Sequence, residues 1–153
     1  MKIWVDADAC PTEIKDLLFR SAARVSIQVT LVANQRMRIP RSEFVDLVVV
    51  TTGADMADHY IAEQADPSDL VVTGDIPLAA RVVEKGATAI DPRGDLFTEQ
   101  NIGERLATRD LMDQLRNSGV ETGGPASFQT KDKQAFANQL DRILTKWQRD
   151  KSR

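Results

Sequence analysis

Apolar runs that end in aspartate recur through the first part of the chain. Ile3-Trp4-Val5 leads to Asp6 and Asp8. Val48 to Thr52 leads, past Gly53, to Asp55 and Asp58. Val71-Val72-Thr73 leads to Gly74 and Asp75, and Thr88-Ala89-Ile90 leads to Asp91. Carboxylates brought together repel, and each holds its proton more tightly unless a cation sits among them. A hard, oxygen-preferring divalent ion, Mg²⁺ or Mn²⁺, relieves that repulsion. Ions held this way serve phosphoryl chemistry, activating water and stabilising a leaving oxygen. Each aspartate also has a plainer use. Asp55 and Asp75 stand where helix N-caps are expected, Asp8 where a turn is, and Asp91 precedes Pro92 as turn formers do. Asp6 closes an apolar run with no helix start beside it.

Other reactive residues are few. Cys10 precedes an expected helix start, where a thiolate is favoured, but no base accompanies it. His59 follows Asp58 and points about 100° away from it on a helix. That direction suits a surface contact better than catalysis. The segment Asn34-Gln35-Arg36-Met37-Arg38-Ile39-Pro40-Arg41 carries three arginines, whose forked donors match phosphate. With Arg81, Lys85 and Arg93 it would guide a nucleic-acid backbone past the acidic centre. Thr73 and Asn34 would add neutral contacts. A solvated basic loop is the competing reading for Arg36 and Arg38.

The elements that must position these residues can be read from periodicity. Short strands are expected over Ile3–Val5, Ile27–Ala33, Leu47–Thr51, Leu70–Thr73 and Ala87–Ile90. Helices are expected over Pro11–Arg24, Asp55–Gln64 and Pro77–Lys85, the last stopped by Gly86. Apolar strands alternating with helices predict an α/β fold. Its sheet is mostly parallel, of about five strands, with helices on both faces. In such a sheet the strand ends carrying aspartate share one edge, where open α/β sheets bind ligands. Asp6 and Asp8 lie two apart and Asp55 and Asp58 three apart, spacings that keep each pair on one side. After Asp91 the pattern changes. Pro92, Gly94 and Gly103 mark a loop, and Glu104–Asn117 reads as a helix. Gly119–Gln129 reads as mobile or irregular, and Lys131–Trp147 as an amphipathic helix before a solvated RDKSR tail. Residues 1–153 are read as one domain, with 1–95 as core and 96–153 as a helical extension.

Composition limits the alternatives. The chain has 153 residues, 42% of them hydrophobic, and a net charge of −3. That suits a globular core rather than disorder. One cysteine and one histidine exclude a disulfide framework and ordinary structural zinc sites. No apolar run reaches the roughly 18 residues of a membrane span. The opening turns acidic at its sixth residue, unlike a secretory leader. A cytoplasmic location without membrane association is expected. The charge is uneven: through Asp95 there are 10 Lys/Arg against 15 Asp/Glu, 11 of them aspartate, and the remainder has 10 against 8.

The segments VDADACP, TTGADMADHYI, VVTGDIPLAARVVEKGA and AIDPRG resemble the YaiI/YqxD-like family of small bacterial proteins, over most of the chain. More distantly the pattern resembles the PIN-like nuclease superfamily, including its NYN branch. Those domains carry an aspartate ending the first strand, an acidic residue early in a central helix, and an aspartate in a "(S/T)-G-D" turn. The matching positions are Asp6, Asp55 or Asp58, and Asp75. The resemblance implies a PIN-like, Rossmann-like three-layer fold and a metal-dependent ribonuclease-like site. Many relatives repeat an aspartate two places after the third, where Pro77 stands here, so a fourth ligand would fall to Asp8 or Asp91.

The expected site therefore has Asp6, Asp58 and Asp75 as catalytic residues. Asp6, Asp8, Asp55, Asp58 and Asp75 are its metal ligands. Asn34, Arg36, Arg38, Thr73, Arg81 and Arg93 contact a phosphodiester substrate, RNA ahead of DNA. Self-association is left open. Two other readings compete. Asp6-Ala7-Asp8 also resembles the D-x-D start of haloacid-dehalogenase-type phosphatases, with Asp6 as nucleophile. Cys10 stands where Thr or Val is usual there, and no cap or lysine motif follows. The fold could also serve as a non-catalytic RNA- or protein-binding module.

Overall fold

The computed structural model describes residues 1–53, 55–123 and 127–152. Its strands are β1 (Lys2–Asp6), β2 (Gln28–Ala33), β3 (Val45–Val49), β4 (Leu70–Val72), β5 (Thr88–Ile90) and β6 (Leu96–Phe97). Its α-helices are α1 (Thr12–Val25), α2 (Met56–Gln64), α3 (Ile76–Glu84), α4 (Glu99–Asn117) and α5 (Thr130–Lys151). A short 3-10 turn, Ala7–Ala9, follows β1. The strands form one sheet in the order β3-β2-β1-β4-β5-β6. All neighbours are parallel except β5 and β6, which run antiparallel.

The α/β architecture is the one periodicity predicts, with one addition. Leu96–Phe97, expected to be loop, pairs with Ala89 and Ile90 as a sixth strand. Two residues carry no readable alternation, so pairing alone defines β6. The helix expected from Glu104 begins earlier, at Glu99, because Thr98 caps it in a reciprocal pair with Asn101. The final helix runs beyond Trp147 to Lys151. Of the stretch expected to be irregular, Gly119–Gln129, residues 124–126 lie outside the described residues.

Strict alternation along the central strands divides the core. Ile3, Val5, Leu70 and Val72 face one layer with Ile14 and Leu18 of α1 and Phe136, Leu140 and Leu144 of α5. Trp4 and Val71 face the other, with Ile61 of α2 and Leu78 and Val82 of α3. Side chains of successive strand residues point to opposite faces, so both faces of the sheet are covered. α5 belongs to this packing: its Phe136 is fully buried. Gly94 lets it approach, since a Cβ there would sit 2.6 Å from the Ala135 carbonyl carbon and φ is +93°. α4 packs on α3 but contributes no buried residue.

One buried polar knot fixes the opposite edge of the sheet. Asp69, 6% exposed, accepts hydrogen bonds from the Lys2 amide, the Trp4 indole and the Asp66 amide, at 3.0, 3.0 and 2.9 Å. It sets the register of β1 against β4 and satisfies three donors that burial would otherwise strand.

Candidate functional site

The strand order reverses at β1. From there the chain builds outward through β2 to β3, then crosses to β4 on the other side. The carboxyl ends of β1 and β4 thus flank the crevice where open α/β sheets take ligands. Asp6 ends β1, and Thr73, Gly74 and Asp75 follow β4.

The Thr73 hydroxyl ties the two strand ends together. It donates to Asp6 Oδ2 at 2.9 Å and accepts from the Asp75 amide at 3.0 Å. Thr73 is 1% exposed, so it positions the aspartates rather than facing solvent. Asp75 in turn caps α3, its Oδ1 accepting from the Leu78 amide at 3.0 Å. The helix N-terminus favours its negative charge. The capping role read from sequence is therefore present at Asp75, and it leaves the second carboxylate oxygen for other partners.

Asp55 behaves differently. It precedes α2 in the left-handed region, φ 63°, and its side chain makes no cap hydrogen bond. Capping does not explain it. Oxygens of Asp55, Asp58 and Asp75 all lie within 4.8 Å of one another. Asp58 is hydrogen-bonded to Asp75, and its pKa is pushed up from 3.8 to about 7. Burial is the main cause, then that hydrogen bond, then the charges of Asp75, Asp6 and Asp55. Asp6, expected at the centre of the ligand set, is outside this trio and stands beside it. Burial raises its pKa, the Thr73 hydrogen bond opposes the rise, and the charges of Asp75 and Asp8 add to it.

Asp8 is exposed and lies on the other side of Asp6, where its Oδ2 accepts from the Asn34 amide at 2.8 Å. Asn34 is held there at the end of β2, with its own Oδ1 buried and unpartnered among the described residues. Asp91 forms a turn, accepting from the Arg93 amide. Cys10 is buried and its pKa is pushed up to about 12, chiefly by burial, so a thiolate at neutral pH is disfavoured there.

The basic residues are dispersed. Arg81 approaches His59 Nδ1 at 3.0 Å, and both line a cleft of about 160 Å³ with Asp55, Asp58 and Asp75. Arg93 instead pairs with Asp132 of α5 at 2.9 Å and lies over the Phe128 ring. Lys85 donates to the Ala62 and Glu63 carbonyls at the end of α2. Arg36 lines a separate groove along the edge strand β3, and Arg38 is exposed on the same loop. Sequence reasoning missed Arg109, which lines the aspartate cleft from α4. Only the docking of α4 on α3 brings it there, and no local pattern marks it.

This arrangement lies within residues 4–146, the span that matches the family profile described as "Uncharacterized BCR, YaiI/YqxD family". The chain belongs to the YaiI/YqxD family. Among its curated relatives, a "UPF0178 protein" of Shewanella loihica is 60% identical over 96% of this chain and 98% of its own. Its counterpart in Hydrogenovibrio crunogenus is 56% identical over 99% and 100%. One in Syntrophotalea carbinolica is 56% identical over 95% and 99%. No solved structure matches. The candidate site of this YaiI/YqxD chain therefore rests on its own chemistry. Three carboxylates at mutual ligand spacing, with no cysteine or histidine among them, make a hard-oxygen donor set. Such a set suits Mg²⁺ or Mn²⁺ rather than Zn²⁺.

Proposed function

We propose that this protein is a metal-dependent phosphodiesterase acting on nucleic acid, RNA ahead of DNA. The observation that carries the proposal is the convergence of Asp55, Asp58 and Asp75 within 4.8 Å at the sheet's switch point, beside Asp6. These side chains start from two separate helix N-termini, and one of them stands at a positive φ without capping its helix. An acidic group of this kind is unfavourable in isolation and favourable around a cation. In this reading Asp55, Asp58 and Asp75 hold Mg²⁺ or Mn²⁺, with Asp6 as a further ligand and Asp8 toward a water. When bound, the ion supplies Lewis acidity at the phosphoryl oxygens and a water of lowered pKa.

The chain's own residues do the rest. Thr73 holds Asp6 and the Asp75 amide in register. Asp6 keeps one carboxylate oxygen that Thr73 does not engage, available to the ion or to its water. Asp58, its pKa raised to about 7 by burial and by its hydrogen bond with Asp75, would hold the ion as a carboxylate and so give up a proton on binding it. Arg81 and Arg109, on the rim of the same cleft, meet the phosphate. The phosphatase alternative fits less well. Its general acid would be Asp8, whose Oδ2 is engaged by the Asn34 amide.

The test pairs calorimetry with cleavage. Wild-type protein stripped with EDTA is titrated with Mn²⁺ and incubated with a labelled RNA 12-mer. Asp58→Asn and Asp75→Asn are treated alike; Asn retains the cap at position 75. The wild type should take up Mn²⁺ and shorten the RNA, and both variants should lose cleavage by on the order of a hundredfold or more, the scale of one lost electrostatic contact in a transition state. Identical flat titrations for all three proteins overturn the proposal.

A further inference from the structure

α4 is unusual in carrying no buried residue along its 19-residue length. Its side toward α3 nevertheless lines a groove of about 650 Å³, together with Asp75. Arg105, Arg109 and Arg116 all face that groove. Their spacings of four and seven place them on one stripe of the helix. From Arg105 to Arg116 the stripe spans about 17 Å, at 1.5 Å per residue. Arg109 and Asp75 line both this groove and the aspartate cleft, so the two adjoin.

The present partners of these arginines are weak. Arg109 lies 3.4 Å from Asp110 and 3.5 Å from Asp113, and Arg116 also pairs with Asp113. Side chains of Arg109 and Arg116 are 44% and 54% exposed, and exposed pairs of this kind contribute little. A phosphate, which accepts both prongs of a guanidinium, competes well against them. Arg105 lines the groove, stacks over the Phe97 ring 4.7 Å from its centroid, and its charge also acts on Asp91. Glu104 is the acidic residue of α4 facing the same space.

We infer that this face of α4 is the track along which a single nucleic-acid strand is led to the carboxylates, its phosphates passing Arg116, Arg109 and Arg105 in turn. A positively charged groove that tracks the backbone is one of the two parts by which single strands are held without sequence preference, base stacking on aromatic rings being the other. The inference rests on the phosphodiesterase reading of the neighbouring site and names residues outside the Asn34–Arg41 loop as the main phosphate contacts.

The experiment is fluorescence anisotropy of a labelled U12 RNA, a dT12 DNA and a 12-base-pair duplex, in EDTA, across a salt series. The wild type is compared with the double variant Arg109→Gln/Arg116→Gln and with Arg36→Gln/Arg38→Gln. The α4 variant should melt at the wild-type temperature, since both residues are exposed. It should bind single strands more weakly by on the order of tenfold, and its salt slope should shrink by about 1.4, or 0.7 per lost contact. The loop variant should stay within about twofold of wild type. Wild type that binds no single strand, a loop variant that loses more than the α4 variant, or a preference for duplex each overturns the inference. Arginine-dependent binding without metal-dependent cleavage would instead remove the phosphodiesterase reading and leave the track standing. Binding and cleavage both unaffected by the α4 substitutions would remove the track, and with it Arg109 as a phosphate contact, and leave the carboxylate site standing.

Discussion

Asp58 is the residue at which charge and stability meet. Its pKa rises on folding from 3.8 to about 7, so between those values the native protein binds more protons than the unfolded chain. Stability from this group is fully present below about pH 4 and is lost as pH climbs through 7. Metal-free wild type should therefore lose stability relative to Asp58→Asn as pH rises from 5 to 8, by chemical denaturation. Parallel curves for the two proteins would contradict the raised pKa of Asp58. Asp69 contributes through its hydrogen bonds. Asp69→Ala leaves three donors at β1 and the Asp66 turn without their acceptor and should cost on the order of 3 kcal/mol, read in a urea titration. The two aspartates also differ in legibility. Asp55, Asp58 and Asp75 follow apolar runs, and parallel pairing carries such ends to one edge, so their meeting can be anticipated from sequence. Asp69 precedes its strand, and nothing local announces that Trp4 will reach it from 65 residues away.

At the scale of elements, the long parallel core was readable and the pieces joined by contact alone were not. β1 to β5 carry enough apolar residues to declare themselves, and α1, α3 and α5 carry stripes. β6 has two residues and exists through Ala89 and Ile90. Arg109 became part of the cleft through the docking of α4 on α3, which no helix period encodes. Gly94 is a further case: its breaker character reads as loop, whereas its function is to let α5 lie against the turn after β5. Gly94→Ala should lower stability by more than about 1 kcal/mol, because the φ is positive and the new methyl meets the Ala135 backbone. Phe136→Ala, removing a fully buried ring, should cost about 3–5 kcal/mol. Thermal melts of both variants check these values, and wild-type melting of Gly94→Ala would mean that α5 does not sit where described.

For the molecule as a whole, the sheet order joins fold to chemistry. Only with β1 and β4 adjacent do residues 6 and 75 share a crevice, and only with α2 and α3 on one face do residues 55, 58 and 75 converge. A cation that binds this convergence binds the native state alone. Saturating Mn²⁺, at about a hundred times its Kd, should stabilise the protein by about 2.7 kcal/mol. The same titration should release protons, seen as a dependence of the binding heat on the buffer's ionisation enthalpy. An unchanged melting temperature with no proton release would separate the fold from the proposed metal.

A helix tethered along one side, with nothing of its own in the interior, is the part of a protein that opens first. Backbone amides toward the far end of α4, around Leu111 and Leu115, should exchange with deuterium long before those of β1 or α5. A bound oligonucleotide should slow that exchange there and leave the central strands unchanged, so that gripping a ligand would register as a local gain of order at the rim.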